Sequence, residues 1–152
     1  MSDVLKDLQL ELVAEFQSIP LFADSEVTVI AELRGDTENE IERELANLGI
    51  AVIVSPPSVR PLNPERITTT RCRVVCEVLI LEESLNVGEG LEGLQVVAAI
   101  IKHMASIKPD RTMQHVWKLG ERGFRPGIYA SRKSFDENMF FYQGEFEREV
   151  KL

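Results

Sequence analysis

Apolar residues recur at helical spacing through Val4, Leu5, Leu8, Leu12, Val13 and Phe16, while Asp3, Asp7, Glu11 and Glu15 fill another side, so an amphipathic first helix is predicted. "SIPLFADS" breaks it at Pro20, and "EVTVIAEL" then alternates as a strand with Val27, Val29 and Ala31 on one side. At Thr37 and Glu40 the spacing of a capping box precedes Ile41, Leu45 and Leu48, and Gly49 follows as a stop, giving a short helix that is strongly acidic outside. "IAVIV" reads as an apolar strand. The segment "SPPSVRPLNPE" holds four prolines within nine residues and is expected to have no regular structure. It is a loop and not a domain boundary, because the apolar runs beside it are too short to make a core alone.

The longest strand candidate is "RITTTRCRVVCEVLILEE". Thr68, Thr70, Cys72, Val74, Cys76, Val78 and Ile80 alternate with Ile67, Thr69, Arg71, Arg73, Val75, Glu77, Leu79 and Leu81. A strand this long outruns the usual five or six residues, so part is expected to project past its neighbours, namely the Thr/Arg-rich first half with Arg71 and Arg73. After "NVGEG", the helix "LEGLQVVAAIIKHMASI" is apolar on most sides and is expected to be largely buried, against a sheet on one side and the first helix on another. Pro109 ends it. "MQHVWKLG", "RPGIYAS" and "NMFFYQGEFEREVKL" read as short strands, with Phe140, Tyr142, Phe146 and Val150 sharing a face of the last. Runs of strands with two major helices imply an α+β fold: one domain over residues 1–152, a mostly antiparallel sheet with the two main helices packed on one side, and a long projecting strand or hairpin.

Composition narrows the function classes. The chain has 152 residues, of which 44% are apolar and 28% charged, which fits a globular domain with a real core. Its start lacks a secretory h-region and no run is long enough to span a membrane, so a soluble intracellular protein is expected. The net charge of −8 argues against bulk nucleic-acid binding. That total hides a division, since residues 1–59 hold 12 acidic and 3 basic side chains and residues 108–133 hold 7 basic and 2 acidic. Faces of opposite charge on neighbouring copies can set register and partner choice.

The motifs that suggest chemistry do not survive their context. Gly88-Glu89-Gly90-Leu91-Glu92-Gly93 matches G-x-G-x-x-G, but Glu82 to Val87 separate it from the strand, and Glu89 and Glu92 put carboxylates where a pyrophosphate would sit. No strand intervenes to carry Asp110 as the ribose-binding acid. Cys72 and Cys76, four apart on a strand, lie about 13 Å from each other, too far for a disulfide or a shared zinc ion. His103 sits near a helix C-terminus, where a cation is favoured, and His115 has no nucleophile at a recognisable spacing. Glu82-Glu83 reads as solvated surface. Lys108, Arg111, Lys118, Arg122, Arg125, Arg132 and Lys133 interleave with Trp117, Phe124 and Tyr129 as single-strand binders do, yet turns at Gly120, Gly123 and Pro126-Gly127 break the segment. No catalytic group, cofactor or metal is expected.

The order of helix, strand, short helix, strand, Pro-rich loop, long strand, buried helix and closing antiparallel strands resembles the tail-terminator, or tail-completion, proteins of tailed bacteriophages and Mu-like prophages. The likeness is carried by "VLKDLQLELVAEF", "ITTTRCRVVCEVLILEE" and "GLEGLQVVAAIIKHM". It implies a non-enzymatic homo-oligomeric ring, commonly of six copies, made in the host cytoplasm and built into the virion tail. Such a ring caps the tail tube protein and meets a head-completion or connector protein, while DNA passes through without specific binding. On that reading the basic segment meets a neighbouring copy, with Arg122, Arg125 and Arg132 opposite Glu38, Glu40, Glu42 and Glu44, and Arg71 and Arg73 also at subunit contacts. The same arrangement also fits a small intracellular binding or regulatory module that recognises a protein, or a small molecule in a pocket beside the buried helix.

Overall fold

The computed structural model describes residues 4–32, 37–62, 71–83, 92–107, 117–129 and 139–151. Its backbone of sheet is one long antiparallel pair, β4 (Arg71–Glu82) and β7 (Met139–Lys151), in register from Arg71 opposite Lys151 to Glu82 opposite Phe140. Two short strands share the outer flank of β4. The strand β2 (Ile50–Val54) covers Val78 to Glu82, and β3 (Ser58–Pro61) covers Cys72 to Val75. The flank of β7 is divided in the same way between β5 (Lys118–Leu119) and β6 (Arg125–Tyr129). Only β1 (Val29–Ala31) runs parallel to its neighbour, β2, among these described pairs. The fold is α+β, with a mostly antiparallel seven-stranded sheet.

Three expectations about strands are corrected here. Arg71 to Val75 do not project past their neighbours, because β7 runs along all five and β3 along Cys72 to Val75; Thr68 to Thr70 fall outside the described residues. The proline-rich segment does contain regular structure. Val59 and Arg60 pair with β4 and Pro61 ends β3, which is possible because β3 is an exposed edge strand where a missing N–H can face water. Likewise β7 is not short, since it is the full-length partner that β4 requires.

Helices α1 (Val4–Gln17), α2 (Pro20–Asp24) and α4 (Gly93–Ser106) cover one face. Pro20 ends α1 and also starts α2, where its fixed φ and absent N–H suit the first helical position. Beneath them Leu12, Phe16, Phe22, Val52, Val78, Ile80, Ile100 and Phe146 are essentially sealed from water. Each such side chain contributes about 1.5–3 kcal/mol. Among the described residues the other face is covered at one end, where α3 (Thr37–Leu48) packs Ile41 and Leu45 on Ile30, Ala51, Ile53, Leu79, Leu81 and Phe141. Gly49, at φ 72°, closes α3 in the left-handed conformation expected of a terminal glycine.

Polar contacts then lock α1 to the sheet. Gln17 presents its amide to the outer edge of β1, donating to the Val27 carbonyl at 2.7 Å and accepting the Val29 N–H at 2.8 Å. Buried Gln9 donates to the carbonyls of Glu32 and Val54. Arg148 on β7 reaches Glu11 at 2.6 Å, with its guanidinium 6.0 Å from the centre of the Trp117 ring.

The expectation that α4 is largely buried is also corrected. Val96, Val97, Ile100 and Met104 face the core, but Leu94 is 60% and Ile101 42% exposed. Ala98 and Ala105 are exposed too, so the stripe Leu94, Ala98, Ile101 and Ala105 lies along one water-facing side of the helix. The first helix is tied to α4 at its C-terminal end, where His103 Nε2 lies 2.8 Å from Glu15 Oε1 and 3.5 Å from Ser18 Oγ. No described helix is long and apolar enough to cross a membrane.

Candidate functional site

The part of the second sheet face that α3 leaves uncovered among the described residues carries many charged side chains. Alternation along β4 and β7 directs Arg71, Arg73 and Glu77, and Gln143, Glu145, Glu147 and Glu149, away from the helical side. Register adds Arg60 from β3 beside Arg73, Lys118 from β5 beside Glu147, and Arg125 from β6 beside Gln143. A groove of about 450 Å³ runs here, walled by Arg60 and Arg73 on one side and by the turn bearing Arg122 and Arg125 on the other. Glu121, Glu145 and Glu147 line it as well. Arg60, Arg73, Arg122 and Arg125 are all exposed and make no ion pair among the described residues.

The turn holds its position through one aromatic ring. Gly123 adopts φ 58°, a left-handed conformation favoured by glycine, and the next residue, Phe124, drops onto the helical side of β7. There its ring meets Phe146 edge-on at 6.1 Å and packs against Gly144, where a Cβ would come within 2.9 Å of it. Arg122 and Arg125 are thereby fixed above the open face. Gln143 donates to Glu77 at 2.5 Å and marks the boundary with a second cleft of about 530 Å³ under α3. That cleft has an apolar floor of Ile53, Leu79, Leu81 and Phe141 and a rim that includes Glu32, Glu38 and Glu77.

The residues named from sequence therefore distribute unevenly. Arg73, Arg122 and Arg125 line one groove, whereas Arg71 lies on the same sheet face but turns toward Glu149 at 4.0 Å. Glu38, Glu40 and Glu42 are exposed on α3, whereas half-buried Glu44 leans back to accept the Thr28 N–H at 3.3 Å. Arg132, His115, Asp110, Lys108, Arg111 and Lys133 lie outside the described residues. Sequence reasoning missed Arg60, whose proline-rich surroundings masked a strand.

The glycine motif has a structural role at its last position. The N–H of Gly93, the first residue of α4, is taken by the Glu82 carboxylate at 2.8 Å, and Gln95 accepts the Glu92 N–H at 2.9 Å. A Cβ at residue 93 would collide with Glu82 and the Tyr142 ring, so glycine lets α4 enter close against the sheet. A carboxylate thus holds the position an anion would need. Cys72 and Cys76 are free thiols on one strand, and burial pushes the Cys76 thiol up to about 12, which suppresses its nucleophilic form.

Neither the known protein-family models nor the curated protein sequences give a match to this chain.

Proposed function

We propose that this chain is a structural protein of a phage or prophage tail, without enzymatic activity, that closes into a homo-oligomeric ring which ends the tail tube and joins it to the head. The single observation that carries the assembly part of this reading is the outer stripe of α4. Leu94 and Ile101 stand in water on a helix whose other side is core, and aligned apolar residues on a folded surface mark contact sites. A ring subunit has two neighbours and a tube to cover such a stripe; a free monomer has none.

The charge division supports the same reading, because a heterologous contact needs two different surfaces on each copy and closes when the rotation allows. Sedimentation velocity of the wild type and of the double variant Leu94→Gln, Ile101→Gln tests it. Burying these two partly exposed side chains contributes about 2–3 kcal/mol, so the variant should remain folded and assemble on the order of 30-fold or more weakly. Unchanged assembly by a folded variant counts against the stripe as a contact. A second reading, a small binding module, is favoured by the apolar-floored cleft under α3. Under it, the wild type need not oligomerise, and no closed ring forms.

A further inference from the structure

We infer that the arginine groove on the open sheet face is a docking site for the acidic helix α3 of a second copy of this chain. The inference deepens the ring proposal by naming the contact, but it stands on the groove's own electrostatics. Arg60 and Arg73 are directly opposite on adjacent strands, an arrangement of like charges that is unfavourable by itself. The neighbour on the other side of Arg73 is Glu149, whose carboxylate lies 4.0 Å from Arg71. Arg122 and Arg125 face this pair across the groove. Four guanidiniums are thus held on β-strands and an anchored turn without internal ion pairs among the described residues.

The identity of the occupant follows from the mixture of signs. Glu121, Glu145 and Glu147 line the groove with the arginines and would repel a uniform polyanion such as a nucleic-acid backbone, in a chain whose net charge is already −8. A segment with several carboxylates and an occasional cation fits better. The sequence of α3, TENEIERELANL, has that composition, with exposed Glu38, Glu40 and Glu42 beside exposed Arg43. Carboxylates on the helix meet the guanidinium forks, and Arg43 meets Glu145 or Glu147. In one copy α3 covers one end of the sheet face and the groove occupies the other, so the helix cannot fill its own groove, and each copy can give one contact and receive one.

Charge reversal tests this directly. One variant carries Arg122→Glu and Arg125→Glu, both at exposed positions, and another carries Glu40→Arg and Glu42→Arg. By native mass spectrometry and sedimentation, each should self-associate at least about ten-fold more weakly than the wild type. Their equimolar mixture, and a chain carrying all four changes, should recover association, and wild-type association should weaken between about 0.05 and 0.5 M salt. Circular dichroism checks that each variant is folded; should the arginine pair fail to fold, Arg122→Glu alone, in the turn, serves in its place. Folded single-sided variants that assemble like the wild type overturn the inference, as does a mixture that stays dissociated, or a wild type that never self-associates. Rings that ignore both reversals sink this contact and leave the ring reading intact, whereas a swap-sensitive dimer that never closes keeps the contact and sinks the ring.

Discussion

Replacing Gly144 with alanine should loosen the molecule at one point and reach the charged groove from beneath. The added Cβ would lie 2.9 Å from two carbons of the Phe124 ring, inside any tolerable contact, so the ring must move. Overpacking of this kind costs about 1–3 kcal/mol. Displacing the ring also forfeits its edge-on contact with Phe146, worth about 0.5–1.5 kcal/mol. Against this, alanine at a backbone site without positive φ gains about 0.4–1 kcal/mol by restricting the unfolded chain. A net loss of about 1–3 kcal/mol follows. Urea denaturation, read through the buried and only tryptophan, Trp117, measures it. The decisive comparison is in a Phe124→Ala background, where the clash is gone and Gly144→Ala should become neutral or mildly stabilising. Additive effects in that double-mutant cycle would refute the reasoning. Because Phe124 anchors the turn, Gly144→Ala should also weaken any assembly that depends on Arg122 and Arg125.

Other perturbations read other parts of the structure. Gln17→Leu strips the partners from the Val27 carbonyl and the Val29 N–H and should cost about 1–3 kcal/mol, seen as a lower denaturation midpoint; no change would mean the edge of β1 is satisfied by water. Cys76 should resist thiol reagents until the chain unfolds, and modification of both cysteines in the native state by mass spectrometry would contradict its burial. The same burial makes stability depend on alkaline pH. Above 9.0 the unfolded thiol loses its proton while native Cys76 keeps it until about 12, so stability should fall over that interval by about 1 kcal/mol per pH unit, and a Cys76→Ala variant should lack this component. Gly93→Ala should displace Glu82 and Tyr142 and destabilise the entry to α4, a loss that chemical denaturation would register.

The elements whose pattern follows from burial were legible in the sequence. Leu8, Leu12 and Phe16 mark the buried side of α1, and the alternation of Val74, Cys76, Val78 and Ile80 marks the core face of β4. Elements whose existence depends on a distant partner were not. The strand β3 forms because β4 offers it an edge, which no local propensity around Pro57 and Pro61 reveals. The uniform apolarity of α4 suggested burial on most sides, but hydrophobicity does not state which chain does the covering, and Leu94 and Ile101 remain outside. Gln9 and Gln17 carry no signal in the sequence, because their role comes from carbonyls and an N–H of segments that only the fold brings to them. At the candidate site, four of the arginines named from sequence do share one face, since strand alternation already fixes Arg71 with Arg73. Arg60 could be added only from the register, and Glu44 is set apart from the other α3 acids only by its contact with Thr28.

The central claim is assembly into a closed ring, and the most direct measurement is native mass spectrometry of the purified full chain over a concentration and salt series, with negative-stain imaging of the largest species. One discrete ring stoichiometry, annular in projection and loosening as salt rises, is the expected result. Monomers or simple dimers under every condition, or open filaments of indefinite length, would contradict it.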